Sequence, residues 1–278
     1  MQVILNSNSP TMKFFNILLL AGIVVFSLLA CKQSERDSMM VGRWVDLTHA
    51  FDGNTPYWPT ADGFRLDTVF NGIAEGGYFY SAYKFASAEH GGTHIDAPIH
   101  FSEGKQTVDE IPLENLIGKA VVIDVTDSVD QYIDYQISRS DFEHWESVNG
   151  QIPEGSIVLL RTGFEKFWPD KAKYLGTNLL GPSAVALLHF PGLHPEAAEW
   201  LVDRRSIKAI GLDTPSIDYG RSSDFRSHRI LFDQNIPAFE NLANLDQLPT
   251  TGSYIVALPM KIKGGSGGPL RIVAMVDI

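Results

Sequence analysis

Residues Glu89–Phe101 read Glu-His-Gly-Gly-Thr-His-Ile-Asp-Ala-Pro-Ile-His-Phe. They place His90, His94, Asp96 and His100 at offsets 0, 4, 6 and 10. All four offsets are even, so an extended chain points the four side chains to one face. A helix does not: at about 100° per residue it makes neighbours of His90 and His94 but carries Asp96 and His100 well round the cylinder. Gly91, Gly92 and Pro98 also disfavour helix. A straight strand would hold the Cα atoms of His90 and His94 roughly 13 Å apart. That is near the limit for two imidazoles sharing a metal through bonds of about 2.0–2.1 Å. A kink at Gly91-Gly92 removes the difficulty, because glycine tolerates the backbone angles required. The segment is expected to be a bent strand presenting His90, His94 and Asp96 to one metal, with His100 further on beyond Pro98. Two imidazoles and a carboxylate suit Zn²⁺, Mn²⁺ or Fe²⁺ and leave a position for water.

Around this stretch the pattern is α/β. Continuous apolar runs at Ala120–Val125, Ser156–Arg161, Ile207–Leu212, Tyr254–Leu258 and Arg271–Val276 read as strands covered on both faces. Helical signals lie between them: Ser138–Val148 opens with capping residues, Gly181-Pro182-Ser183 starts a short helix, and Pro195–Arg205 carries Pro in its first turn. No glycine-rich loop follows the early strands, so a dinucleotide site is not expected. The later Gly264–Pro269 (GGSGGP) lacks a following Lys-Ser/Thr and reads as a wide turn between two strands.

Composition narrows the function classes. The 278 residues are 44% hydrophobic and 11% aromatic, which fits a folded core. A net charge of −11 argues against nucleic acid as a partner, since phosphate binding needs a basic face. One cysteine excludes a disulfide framework and a cysteine-cluster zinc site. That cysteine, Cys31, follows an uncharged run of 17 residues, Phe14–Ala30, which Lys13 precedes. This reads as an export signal, and Leu28-Leu29-Ala30-Cys31 resembles a bacterial lipobox with Cys31 as the lipidated residue. Met12 is then the natural start. An uncleaved transmembrane anchor competes with this reading, although 17 residues is near the lower limit for a span. Both place the domain outside the cytoplasm; Lys32 after the cysteine fits an outer-membrane destination in a Gram-negative source. The expected organisation is signal and lipobox over 1–31, a polar tether over 32–41 and one domain over 42–278.

His90-Gly91-Gly92-Thr93-His94-Ile95-Asp96-Ala97-Pro98-Ile99-His100 matches the motif H-x-G-T-H-x-D-x-P-x-H at all seven fixed positions. In this the chain resembles the cyclase family of metal-dependent hydrolases, which includes kynurenine formamidases and isatin hydrolases. Trp44–Thr48, Gly211–Asp218, Ser227-His228-Arg229 and Ile236–Leu242 extend the likeness over nearly all of Trp44–Ile278. The resemblance implies the family's swivelling α/β fold around a β-barrel-like core, and a homodimer. It implies His90, His94 and Asp96 as ligands of a first metal, Asp96 as a bridge, and His228 and Glu240 as distant ligands of a second. It implies His100 as general base and acid.

The other histidines, His49, His144, His189 and His194, have no companion ligands at useful spacing and read as structural or surface residues. Trp58 is a candidate for the wall of an aromatic substrate pocket, with a core position beside a turn as its alternative. Ser227 is a candidate for orienting substrate or water. The expected reaction is hydrolysis of a non-peptide C–N bond with one or two divalent ions per chain, Zn or Mn. The substrate is a small amide, either a cyclic or aryl amide such as isatin, towards which the long motif and the export signal lean, or N-formylkynurenine. An exported metal- or ligand-binding lipoprotein without turnover is the competing class. His100 separates the two, because a binding module has no use for a proton shuttle.

Overall fold

Three of the five apolar runs marked as buried strands, those at 120–125, 156–161 and 207–212, alternate their side chains between two separate cores; the runs at 254–258 and 271–276 supply only one of them. Ala120, Val122, Ile157, Leu159 and Ala209 enter one, while Val121, Ile123, Val158, Leu160, Ile210 and Leu212 enter the other. Successive strand residues point to opposite faces, so a sheet covered on both sides has no polar positions to show.

The computed structural model describes residues 42–276. The expected signal, lipobox with Cys31, and tether fall on residues 1–41, outside the described residues. Twelve strands are present among the described residues: β1 (Arg43–Asp46), β2 (Arg65–Ile73), β3 (Phe79–Ala86), β4 (His94–Asp96), β5 (Ile117–Asp124), β6 (Gln136–Ile137), β7 (Ile157–Arg161), β8 (Gly192–Leu193), β9 (Ala209–Leu212), β10 (Ala238–Glu240), β11 (Thr251–Pro259) and β12 (Gly267–Val276). The main sheet runs β1-β12-β11-β5-β7-β9-β10-β4, and β4 also pairs with β12. Seven strands thereby close into a barrel-like ring, as the α/β reading with a barrel-like core expects. All seven contribute to the core containing Ile95, Phe239, Ile255 and Ile272, so that core fills the ring.

Strands β5, β7, β9 and β10 are parallel neighbours. Parallel strands need crossovers, and three helices supply them: α1 (Arg139–Asn149), α2 (Pro195–Arg205) and α3 (Arg226–Asp233). Their apolar residues, Phe142, Trp145, Trp200, Leu201, Leu231 and Phe232 among them, form the second core on the outer face. At α1, Ser138 and Asp141 make a capping box in which the Ser138 N–H donates to Asp141 Oδ2 at 2.7 Å. The helix expected after Gly181 is one turn, Pro182–Val185.

One expectation needs correction, and one element was not expected. Gly264–Pro269 is not a turn throughout: Gly267, Gly268 and Pro269 are strand, registered against Asp96, Ile95 and His94. Their small side chains permit this close approach; a Cβ on Gly267 would lie 2.5 Å from the Ile95 carbonyl oxygen. The hairpin β2–β3 has no counterpart in the sequence reading. Both of its faces carry exposed residues, so it lacks the buried pattern by which strands are recognised.

Candidate metal centre and active site

Alternation along two short strands builds the site. Ile95 of β4 and Phe239 of β10 enter the barrel, so His94, Asp96 and Glu240 project from the opposite face. The strands are antiparallel with His94 directly opposite Glu240. Cross-strand partners lie within side-chain reach, and His94 Nε2 is 3.5 Å from Glu240 Oε2 and 3.1 Å from Asp96 Oδ1.

The bend expected before β4 is present. Gly91 has φ +151° and Gly92 φ +61°, and a Cβ on Gly91 would fall inside the Tyr57 ring. Extended chain is confined to His94–Asp96, and the bend brings His90 Nδ1 to 2.6 Å from Asp96 Oδ1. Beyond Pro98 a 3₁₀ turn, Pro98–His100, returns His100 so that its ring stacks on His90 at 3.8 Å. His228 arrives from α3, with Nε2 at 3.3 Å from Asp96 Oδ2 and 3.2 Å from Glu240 Oε1. The structure thus gathers His90, His94, Asp96, His100, His228 and Glu240 around Asp96. Two donor groups share that carboxylate, His90–Asp96–His100 and His94–Asp96–Glu240.

Hydrogen bonds on the far side of each ring set its tautomer. The Gly92 carbonyl accepts from His94 Nδ1 at 2.9 Å, so His94 Nε2 is bare, and it is buried without a hydrogen-bond partner. Asp218 Oδ2 accepts from His228 Nδ1 at 2.6 Å, which turns His228 Nε2 inward. His94 Nε2 and His228 Nε2 facing carboxylate oxygens form a set that asks for positive charge, a proton on each ring or a cation between them, and these residues fit a divalent cation. The titration directions express the same demand. Burial opposes charge on His94 and His228, yet bonding to Asp96 for the first and to Asp218 for the second, with Glu240 nearby, raises both. Burial favours a neutral Asp96, but the His90 charge and bonds from His228, His90 and His94 hold it well below the usual range. Burial and the Asp96 charge together push Glu240 up. At His100, burial and the surrounding histidines outweigh Asp96 and bring the ring to about 4.

These groups open onto a cavity of about 280 Å³ whose other walls include Tyr57, Trp58, Phe101, Leu175, Pro215 and Phe225. Such a lining suits a small flat apolar body held against a few polar groups. Trp58 stands in that wall and also packs against the outer core, edge-on to Phe190 and 6.2 Å from Phe225. Ser227 does not. Its fully buried hydroxyl donates to the Leu193 carbonyl at 2.7 Å and it is absent from the cavity wall, because its place in the first turn of α3 faces the packed interior.

The sequence model of the Cyclase family, described as "Putative cyclase", matches residues 45–219. The chain belongs to the cyclase family. An isatin hydrolase of Roseibium aggregatum is 31% identical over 246 residues, covering 84% of this chain and 91% of that protein. A kynurenine formamidase of Bacillus cereus is 27% identical over 241 residues, covering 84% and 98%. The solved structure of isatin hydrolase A from Labrenzia aggregata, bound to benzyl benzoate, superposes with a TM-score of 0.77 at 33% identity, covering 92% of this chain and all of that one.

Three residues that shape the site had no assigned role in the sequence reading. Asp218 holds His228. Asn241 lines the cavity and donates from Nδ2 to the Gly92 carbonyl at 2.8 Å, bracing the glycine bend. Tyr174 in turn donates to Asn241 Oδ1 at 2.8 Å. Asp218 and Asn241 fall inside segments that carry the family likeness; no local pattern marks Tyr174. Of the remaining histidines, His49 stacks on Trp168 at 4.0 Å, His189 pairs with Asp134, His194 caps α2, and His144 stays on the surface of α1.

Proposed function

We propose that this chain is a metal-dependent hydrolase of a non-peptide C–N bond in a flat amide. The preferred substrate is a cyclic or aryl amide of the isatin type; N-formylkynurenine is the second. The observation that carries this reading is the convergence of His94 Nε2 and His228 Nε2 on the Asp96 and Glu240 carboxylates inside an aromatic-walled cavity.

His90, His94 and Asp96 would hold a first ion, Zn or Mn, and His228 and Glu240, with Asp96 shared, would hold a second. When bound, such an ion polarises a carbonyl oxygen and lowers the pKa of water to about 7. Trp58, Phe101 and Phe225 orient the aromatic ring by packing against it. His100 faces the cavity beside His90 and takes the proton of the attacking water as the new C–O bond forms. It then delivers that proton to the nitrogen that departs as the C–N bond breaks. The isatin preference rests on the 31% and 33% identities to isatin hydrolases and on the aromatic lining. Side-by-side kcat/KM values for isatin and N-formylkynurenine test it. Isatin is expected to lead by at least about tenfold, or about 1.4 kcal/mol; the reverse order overturns the preference, and hydrolysis of neither overturns the substrate class.

The same reading includes a homodimer and an exported, Cys31-anchored chain. The hairpin β2–β3 exposes Leu66, Val69, Ile73, Phe79 and Phe85, a surface suited to cover by a second copy. A monomeric mass at micromolar concentration contradicts the dimer.

A further inference from the structure

The glycine-rich segment Gly264–Pro269 has no place in the chemistry above, yet it carries Ser266 to the back of His90. Ser266 Oγ lies 2.9 Å from His90 Nε2 and 2.6 Å from Glu89 Oε2, and the Ser266 N–H donates to the same Glu89 oxygen at 3.0 Å. A carboxylate only accepts, and a hydroxyl has one proton. The Ser266 hydroxyl therefore donates to Glu89 and turns a lone pair to His90. His90 Nε2 therefore carries a proton, and Nδ1 faces the shared Asp96 carboxylate, with Oδ1 2.6 Å away, where its lone pair becomes available once a cation takes the place of its own proton.

The neighbouring glycines make room for this contact. A Cβ on Gly265 would meet Glu89 Oε1 at 2.8 Å, and one on Gly267 would meet His90 Cε1 at 2.6 Å. A side chain at Gly267, which would also meet the Ile95 carbonyl oxygen at 2.5 Å, would force the strand and its serine away from the histidine, and one at Gly265 would push the Glu89 carboxylate aside. His94 and His228 have their rear nitrogens fixed by the Gly92 carbonyl and by Asp218. His90, before the glycine bend, has neither kind of support and depends on the relay.

We propose that Glu89 and Ser266 are positioning residues of the metal centre, a relay that keeps the His90 proton on Nε2 and aims Nδ1 at the shared Asp96 site. This rests on the metal-centre reading above. Without the relay, His90 can adopt the other tautomer or rotate, and then presents an N–H where a lone pair is needed.

The test is metal affinity of the full chain in detergent, freed of metal and titrated with Zn²⁺ or Mn²⁺ against a chromophoric chelator. Ser266→Ala and Glu89→Ala are each expected to weaken binding about 10- to 100-fold. The double variant should be no weaker than the worse single, because the two act as one unit. Metal-free Ser266→Ala should melt with the metal-free wild type. If Ser266→Ala does not fold, Glu89→Gln, which keeps an acceptor but not the charge, should still bind more weakly than wild type. Wild-type affinity in the folded serine variant, or in Glu89→Gln when it alone folds, overturns the relay. So do additive losses accompanied by lower metal-free melting. A wild-type chain that binds neither ion overturns the metal-centre reading itself, and the relay falls with it.

Discussion

Asp218 Oδ2 sits 2.6 Å from His228 Nδ1, and the same carboxylate accepts the backbone N–H groups of Ser227 and His228 at 3.1 Å each. The residue before α3, Phe225, is left-handed at φ 48° and offers no capping side chain. Asp218 thus supplies the helix cap from outside the helix and the tautomer lock of His228 at once. Burial raises a carboxyl, but the His228 bond and charge hold Asp218 below its ordinary range, so it is ionised at neutral pH.

Asp218→Asn should separate these roles. The amide keeps an oxygen for the helix N–H groups, but neutral Asn is a weaker acceptor for His228. Metal affinity is expected to fall about 10- to 100-fold, with a stability loss of about 1 kcal/mol. Metal titration and denaturant unfolding of the variant check both.

His100 stands in one of the two donor groups around Asp96, so its role needs a direct test. His100→Ala should lose turnover about 10²- to 10⁴-fold while keeping wild-type metal content. Equal loss of metal would make His100 a ligand and remove its assignment as proton carrier.

Glu165 lies away from this cluster, with one buried carboxylate oxygen lacking a partner. Burial first, and the Asp213 charge second, raise its pKa from 4.5 to about 7. The folded chain therefore keeps this proton to higher pH than the unfolded chain, and stability falls as pH rises from about 4.5 to about 7. Glu165→Gln should match wild type near pH 4 and be more stable at pH 8 by about 1–2 kcal/mol, after discounting for partial exposure. Urea melts at the two pH values check the difference.

The proposed anchor is tested by mass. The mature chain should begin at Cys31 and carry acyl chains, and it should partition into detergent. An intact leader on an unmodified Cys31 would contradict it.

How much of this was legible depended on where each signal lies. The strands at Val121–Ile123 and Val158–Leu160 were readable because both faces are buried, which leaves an unbroken apolar run. The hairpin was not, since Phe79 and Leu66 are exposed while Asp67 and Asn71 interrupt the run. Within the site, even spacing and paired glycines made His90, His94 and Asp96 readable from a single stretch. His228 and Glu240 stand more than a hundred residues further on and were placed only by family likeness. Ser266 lay in view inside a glycine-rich stretch that read as a turn. Its contact with His90 is made through the β4–β12 pairing, which nothing local encodes.

On the proposed reading, the His–carboxylate cluster does its chemistry with a divalent ion. The most direct measurement is isatin turnover by the purified protein before chelation, after chelation, and after stepwise return of Zn²⁺ or Mn²⁺. Turnover should vanish with the metal and return as one or two ions bind per chain. Turnover that survives complete metal removal, or protein that takes up no ion at any loading, would contradict it.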